Sequence, residues 1–168
     1  MKRLLVLILL AGTLSSFGQE RRHAVGLRMG GTFGITYDYL HDDFSGFSGM
    51  MSFREKGVQV TGLLKFYRPA FERVTDRFWW YAGVGGHVGY HKWTEYFSIN
   101  QGIYTYYYEF NRYSPVMGLD GLIGLEFRMD ILPIRFGIEY MPYFDLFGKD
   151  FFKLNYYDFG FTIKYAFN

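Results

Sequence analysis

Four groups of residues in this 168-residue chain have the types that chemistry needs. His41-Asp42-Asp43, with Ser45 close by, offers a base and a hydroxyl of the kind that nucleophilic enzymes assemble. No nucleophile motif such as G-x-S-x-G surrounds Ser45, so solvated loop polarity is the simpler reading. His87 and His91 share a face if their segment is a strand, but residues four apart on a strand are about 13 Å apart, too far to ligate one metal. An inward histidine hydrogen-bonded to a neighbour accounts for each. Gly83, Gly85, Gly86 and Gly89 resemble a phosphate loop only superficially, because no helix N-terminus and no Lys-Ser/Thr pair follows. The run YTYYYEF, 104 to 110, has rings for stacking on a ligand or for alternating between a lipid interface and an interior. No catalytic residue, cofactor or metal site is expected from these groups.

Charge is the more informative pattern. Arg28, Arg54, Lys65, Arg128, Arg135 and Lys164 alternate with apolar neighbours, and so do Asp38, Glu109, Asp120, Glu126, Glu139 and Asp158. Six cations therefore stand against six anions on the polar sides of their segments, while the apolar sides carry no formal charge. A sandwich would put such charges in water, where nothing demands that they balance. A closed small barrel would enclose them, and enclosed charges must be paired and hydrogen-bonded.

The elements that position these residues read as strands, because no long segment holds a 3.6-residue apolar period. Alternation runs over 24–39, 47–54, 58–67, 78–91, 103–113, 117–129, 134–144 and from near Asn155 to the C-terminus. In the last, Phe161, Ile163, Tyr165 and Phe167 alternate with Thr162, Lys164 and Ala166, one oily face and one polar face. The expected fold is all-β: an eight-stranded antiparallel up-and-down transmembrane β-barrel whose apolar face meets lipid. Eight strands leave an interior that side chains fill, and Tyr67, Trp79, Tyr81, Met141, Tyr143 and Tyr156, beside Gly26, Gly30, Gly83 and Gly85, are the inward residues expected to share it.

With the N-terminus on the periplasmic side, Glu55 to Gly57 and Asp130 to Pro133 become periplasmic turns. The segments 40–46, 68–77 and 145–154 become external loops. Tyr37, Tyr39, Trp80, Tyr140, Phe144 and Tyr157 then gather at the outer rim, and Tyr90, Phe127, Tyr165 and Phe167 at the inner one. The segment 92–102 is a long inner connection or an extension of its two strands.

The N-terminus reads as a secretory signal peptide over residues 1–18: basic Lys2-Arg3, an apolar run from Leu4 to Gly12, and small residues at Ser16 and Gly18. The apolar run is shorter than the roughly 20 residues a spanning helix needs. Residues 19–168 then form one outer-membrane barrel domain. All 16 acidic residues lie beyond Gly18, and 18 − 2 = 16 basic residues remain with them, so this part is formally neutral and implies no nucleic-acid partner. No Cys is present, which argues against the small disulfide-stapled secreted scaffolds. Aromatics make up 23% and Gly numbers 21, a composition suited to strands with rings at a lipid boundary.

The stretches GLRMGGTFGITY (26–37), WYAGVGGHVGY (80–90) and GLDGLIGLEFRMDILPI (118–134) resemble those of small outer-membrane β-barrel proteins of Bacteroidetes, similar in architecture to the outer-membrane protein A and X barrels. The resemblance implies a fold and an outer-membrane location rather than an activity. It also implies that Phe161, Ile163, Tyr165 and Phe167 serve as the terminal signal read by the outer-membrane assembly machinery, although Asn168 follows the aromatic that is usually last. The expected function is a non-enzymatic, monomeric barrel in the bilayer, with an envelope-structural role or a surface-interaction role through external loops. An outer-leaflet lipid-modifying enzyme and a barrel that binds or passes a small apolar ligand are the alternatives.

Overall fold

The computed structural model describes residues 21–54, 57–101, 104–148 and 151–168. The signal segment 1–18 lies outside the described residues, as do 55–56 of an expected turn, 102–103, where the expected fifth strand begins, and 149–150 of an expected external loop. The strands are β1 (His23–Gly30), β2 (Phe33–Leu40), β3 (Ser45–Arg54), β4 (Gly57–Phe71), β5 (Thr75–Gln101), β6 (Tyr104–Arg128), β7 (Ile134–Tyr140), β8 (Tyr143–Phe147), β9 (Lys153–Asn155) and β10 (Phe159–Phe167). Among the described residues there is no helix.

Strands β1 to β6 each pair antiparallel with the next in sequence, as does β8 with β9, while β8 pairs with β6, β7 with β10 and β10 with β1, so the sheet closes on itself. β7 and β8 occupy one position in the wall: both pair with β6, and the interruption falls at Met141-Pro142, where proline has no N–H to give. β9 and β10 likewise form one wall position. The result is an eight-stranded closed antiparallel barrel with no open edge around its waist.

The register fixes the tilt. Partners followed from Phe167 through His23, Tyr39, Phe47, Leu64, Val84 and Gly121 arrive beside Pro142. Phe167 itself lies level with Leu132 on that strand, because Tyr165 pairs with Ile134, so the circuit returns 142 − 132 = 10 residues displaced. A stagger of that size over eight strands inclines them by about 40° to the barrel axis.

Three expected strands are redrawn, with compensating effects on the count. The segment 24–39 is a hairpin, not one strand: Arg28 pairs with Gly34 across a tight reversal at Gly31-Thr32. Gly30, at φ 154°, starts that reversal, and a Cβ there would strike the Phe159 carbonyl. Conversely, 103–113 and 117–129 belong to one strand, β6, which runs through Pro115. Pro115 is tolerated because β6 meets β8 only from Met117 onward, and among the described residues none pairs with that side of residue 115.

The redrawn hairpins also change which loops share an end. Arg21, where the described residues begin, the C-terminus and the turns 41–44, 72–74 and 129–133 lie at one end, called here the terminal end. The reversal at 31–32, the end of β3, the start of β4 and the end of β8 lie at the other, where β5 and β6 continue past the wall. Hence 40–46 and 68–77 do not oppose 130–133, and the expected division of the loops between the two ends is overturned. From His91↔Ser114 to Gln101↔Tyr104 the two strands pair only with each other, a free ribbon roughly 35 Å long at ~3.3 Å per residue. The segment 92–102 is thus an extension.

Side chains sort by parity. Val25, Leu27, Ile35, Leu64, Val84, Ile123, Ile138 and Ile163 face outward and are 41–62% exposed. His23 lies within ring contact of Tyr37, Tyr39 and Phe167, and Phe78 meets Phe127, so these rings belong to the terminal end. Tyr90 lies at the ribbon end, in ring contact with Tyr113, along with Phe144 and Tyr157. Two aromatic girdles exist, but Tyr37, Tyr39 and Trp80 sit with Phe127, Tyr165 and Phe167 rather than opposite them.

Candidate functional site

The interior is the candidate site, because it gathers nearly every buried charge of the wall. Tyr67, Tyr81 and Met141 are at most 1% exposed, and with Leu40, Met50, Leu63 and Leu122 they form a small apolar cluster. Trp79 packs against it. Tyr156, expected inside, is exposed. The Tyr143↔Asn155 pair and the Tyr140↔Phe159 pair differ by one residue in register, so a bulge between β9 and β10 turns Tyr156 outward.

The network has two parts joined by Arg28. Toward the terminal end, Lys164 Nζ lies 2.8 Å from Asp38 Oδ2, 3.5 Å from Glu139 Oε1 and 3.7 Å from Glu126 Oε2. Lys65 reaches Asp38 at 3.1 Å and Glu139 at 3.8 Å. The Tyr81 hydroxyl donates to Glu139 at 2.7 Å, and Ser48 donates to Asp38. Glu126 accepts from Arg128 Nε at 2.9 Å, with Arg135 at 3.8 Å. Arg28 then spans Glu139 at 3.2 Å and Asp158 at 2.9 Å.

Toward the ribbon end, Asp158 also accepts from Thr32 and from Arg54, whose guanidinium lies 3.8 Å over the Tyr143 ring and 3.6 Å from Asp120. His87 closes this part. Its Nδ1 is 2.7 Å from Asp120 and its Nε2 is 3.0 Å from Asp145, so the ring links β5 to both β6 and β8. His91 pairs instead with Gln59 at 2.8 Å. The two histidines thus have separate partners, and among the described residues no three His, Cys, Asp or Glu side chains form a group able to hold a metal ion.

Large inward side chains fit because glycine faces them. A Cβ on Gly160 would come within 2.6 Å of the Arg28 Cζ, and one on Gly118 within 2.5 Å of the His87 ring. Gly124 stands against the Tyr81 ring in the same way. These contacts explain why an aromatic-rich chain needs so many glycines in its strands.

Of the twelve charged residues expected inside, Arg28, Asp38, Arg54, Lys65, Asp120, Glu126, Arg135, Glu139, Asp158 and Lys164 are buried there, and Arg128 is partly buried at the terminal-end mouth. Glu109 is exposed on the ribbon, which encloses no interior. Asp145, expected in an external loop, takes its place at 1% exposure. The signal for Asp145 was present: Glu139, Met141, Tyr143 and Asp145 keep one parity straight through Pro142. Phe161, Ile163, Tyr165 and Phe167 line the outward face of β10.

The His41 group is a turn. Asp42 accepts from the Phe44 and Ser45 backbone N–H groups at 2.8 and 2.6 Å and from the Ser45 hydroxyl at 2.8 Å. Those donors, the Ser45 hydroxyl foremost, hold its carboxyl below the usual range. The hydroxyl that a nucleophile reading would need is thus engaged with Asp42. The YTYYYEF run lies on the ribbon, and the side chains of 104–108 lie outside the described residues. No protein-family model and no curated protein matches the chain.

Proposed function

We propose that the chain is a non-enzymatic integral barrel of a bacterial outer membrane, of the small Bacteroidetes kind its sequence resembles, and that the β5–β6 ribbon is its surface-interaction element. One observation carries this reading: the whole waist of the wall is apolar and uncharged outside and charged inside. On β5 the outward residues from Phe78 to Tyr90 carry no charge. At ~3.3 Å per residue and a tilt of about 40°, that span rises roughly 30 Å, the thickness of a hydrocarbon core. Exposed apolar area on this scale needs a partner, and a closed barrel with ring girdles at both ends suits lipid.

The ribbon end then faces outward, since outer-membrane barrels keep short turns on the periplasmic side and long excursions outside. The test is fractionation with heat-modifiable mobility in detergent gels, together with surface labelling of a cysteine placed at Glu109 in whole cells. Recovery as a soluble protein without detergent overturns the membrane reading. Labelling only after the outer membrane is broken overturns the orientation.

A further inference from the structure

Arg128 and Arg135 are direct cross-strand partners on β6 and β7, and both turn into the mouth of the barrel at the terminal end. Like charges in direct opposition are unfavourable unless something sits between them. Here that is one carboxylate oxygen, Glu126 Oε1, which Arg128 Nε and Arg135 Nη1 approach at 2.9 and 3.8 Å. The other oxygen of Glu126 faces Lys164. Asp38 is shared between Lys65 and Lys164, and the exposed Asp130 is paired with Arg77. Among the described residues, two guanidiniums thus share one negative charge at the mouth, an excess of one positive charge.

The donors of this pair are also unspent. Arg128 Nη2 and Arg135 Nη1 are both buried without a hydrogen-bond acceptor among the described residues, although Arg135 Nη2 does donate to the Arg21 carbonyl. Arg135 is 6% exposed, and a buried guanidinium with an idle N–H is costly. Arg128 is held by the faces of Trp79 at 4.3 Å and Tyr67 at 5.5 Å, which fix the plane of its fork. Its side chain is 22% exposed, so the mouth is reachable from the terminal end. A positioned guanidinium pair with free N–H groups, aromatic walls and one surplus charge is built for a singly charged tetrahedral oxyanion.

We propose that the Arg128–Arg135 mouth binds a phosphate group of net negative charge, either inorganic phosphate or the phosphodiester of an anionic lipid headgroup, beyond any role of the ribbon. The phosphate bridges the two guanidiniums, accepts from Arg128 Nη2 and Arg135 Nη1, and cancels the excess charge that Glu126 leaves. The mature chain, refolded in nonionic detergent, is titrated with sodium phosphate and, separately, sodium chloride at matched ionic strength, with binding read by calorimetry. In a second arm it is refolded into phosphatidylcholine vesicles with and without phosphatidylglycerol, and its thermal midpoint is read.

The expected result is saturable binding or a raised midpoint that chloride does not reproduce, weakened about tenfold or more in Arg128→Gln and little changed in the ribbon variant Arg112→Gln. Arg128→Lys keeps the charge but loses the fork, and retains only part of the effect. A response to phosphate salt identifies the free ion as sufficient. A response to phosphatidylglycerol alone identifies the headgroup. Equal responses to phosphate and chloride in the wild-type chain, with no effect of phosphatidylglycerol, overturn the proposal without requiring any variant to fold.

Discussion

Lys164→Met is the sharpest probe of the interior, because Lys164 is 1% exposed and faces three carboxylates. The lumen holds Arg28, Arg54, Lys65, Arg128, Arg135 and Lys164 against Asp38, Asp120, Glu126, Glu139, Asp145 and Asp158. Removing one member of a buried ion pair costs about 3–5 kcal/mol, mostly for the charge left behind. The residual partners argue for the lower end of that range: Asp38 keeps Lys65 at 3.1 Å, Glu139 keeps Arg28 and Glu126 keeps Arg128. A loss of roughly 3 kcal/mol is expected in equilibrium urea unfolding from lipid vesicles. Adding Asp38→Asn removes the orphaned charge, so the double variant should recover roughly 1–2 kcal/mol relative to additivity. Lys92→Met, on the ribbon against Tyr113, should change stability by less than about 1 kcal/mol. If Lys164→Met costs no more than Lys92→Met, the interior charges are solvated and the paired-lumen reasoning fails.

Other variants test the wall, its packing and its appendage. Val84→Arg and Ile123→Arg should each lower stability in vesicles by about 2–4 kcal/mol if the waist meets hydrocarbon, and unchanged stability would place that face in water. Gly160→Ala drives a methyl into the Arg28 guanidinium and should cost about 1–3 kcal/mol or block refolding, whereas Gly49→Ala, whose methyl would meet only Phe47 at 3.9 Å, should be tolerated. Replacing residues 94–111 by a short turn should leave the barrel heat-modifiable, since those residues pair only with one another; loss of the folded band would mean that the ribbon supports the wall. The depressed Asp42 carboxyl stabilises its turn above its unfolded value and ceases to do so as pH falls through its folded value, so amide exchange at Phe44 and Ser45 should accelerate in acid and stay pH-independent in Asp42→Asn after correction for intrinsic rates.

The alternation that made the fold legible also concealed its hairpins. In β1–β2, partners such as Arg28 and Gly34 have numbers summing to 62, an even value, so inward parity is the same on both strands. The alternation therefore passes through Gly31-Thr32 unbroken, and only the Gly-Gly-Thr sequence hints at a reversal. Ser114-Pro115 has the opposite character. It carries a strong turn signal, but local propensity yields where no described residue pairs with one edge of the strand, and β6 continues. The count of eight wall strands was reached with one strand too few at the start and one too many in the middle, which is why the expected division of the loops between the two ends failed while the barrel did not.

The same parity rule decides the interior residue by residue. Charges between Arg28 and Lys164 were readable because within the wall an even spacing keeps a side chain on its face, and enclosure then demands balance. Glu109 obeys the alternation but not the enclosure, since past Ser114 the ribbon has no third strand and both of its faces are outside. Asp145 obeys both, and it supplies the sixth anion that Glu109 does not. Tyr156 fails because the one-residue bulge before Asp158 shifts the phase, and no composition signal marks that insertion. Pattern on one strand therefore fixes which side a residue takes, while only the pairing between strands fixes whether that side is an interior. The Arg128–Arg135 contact belongs wholly to the second kind: the six residues 129–134, most of them in a turn, separate the two, and their opposition exists only because β6 and β7 are in the register that makes them partners.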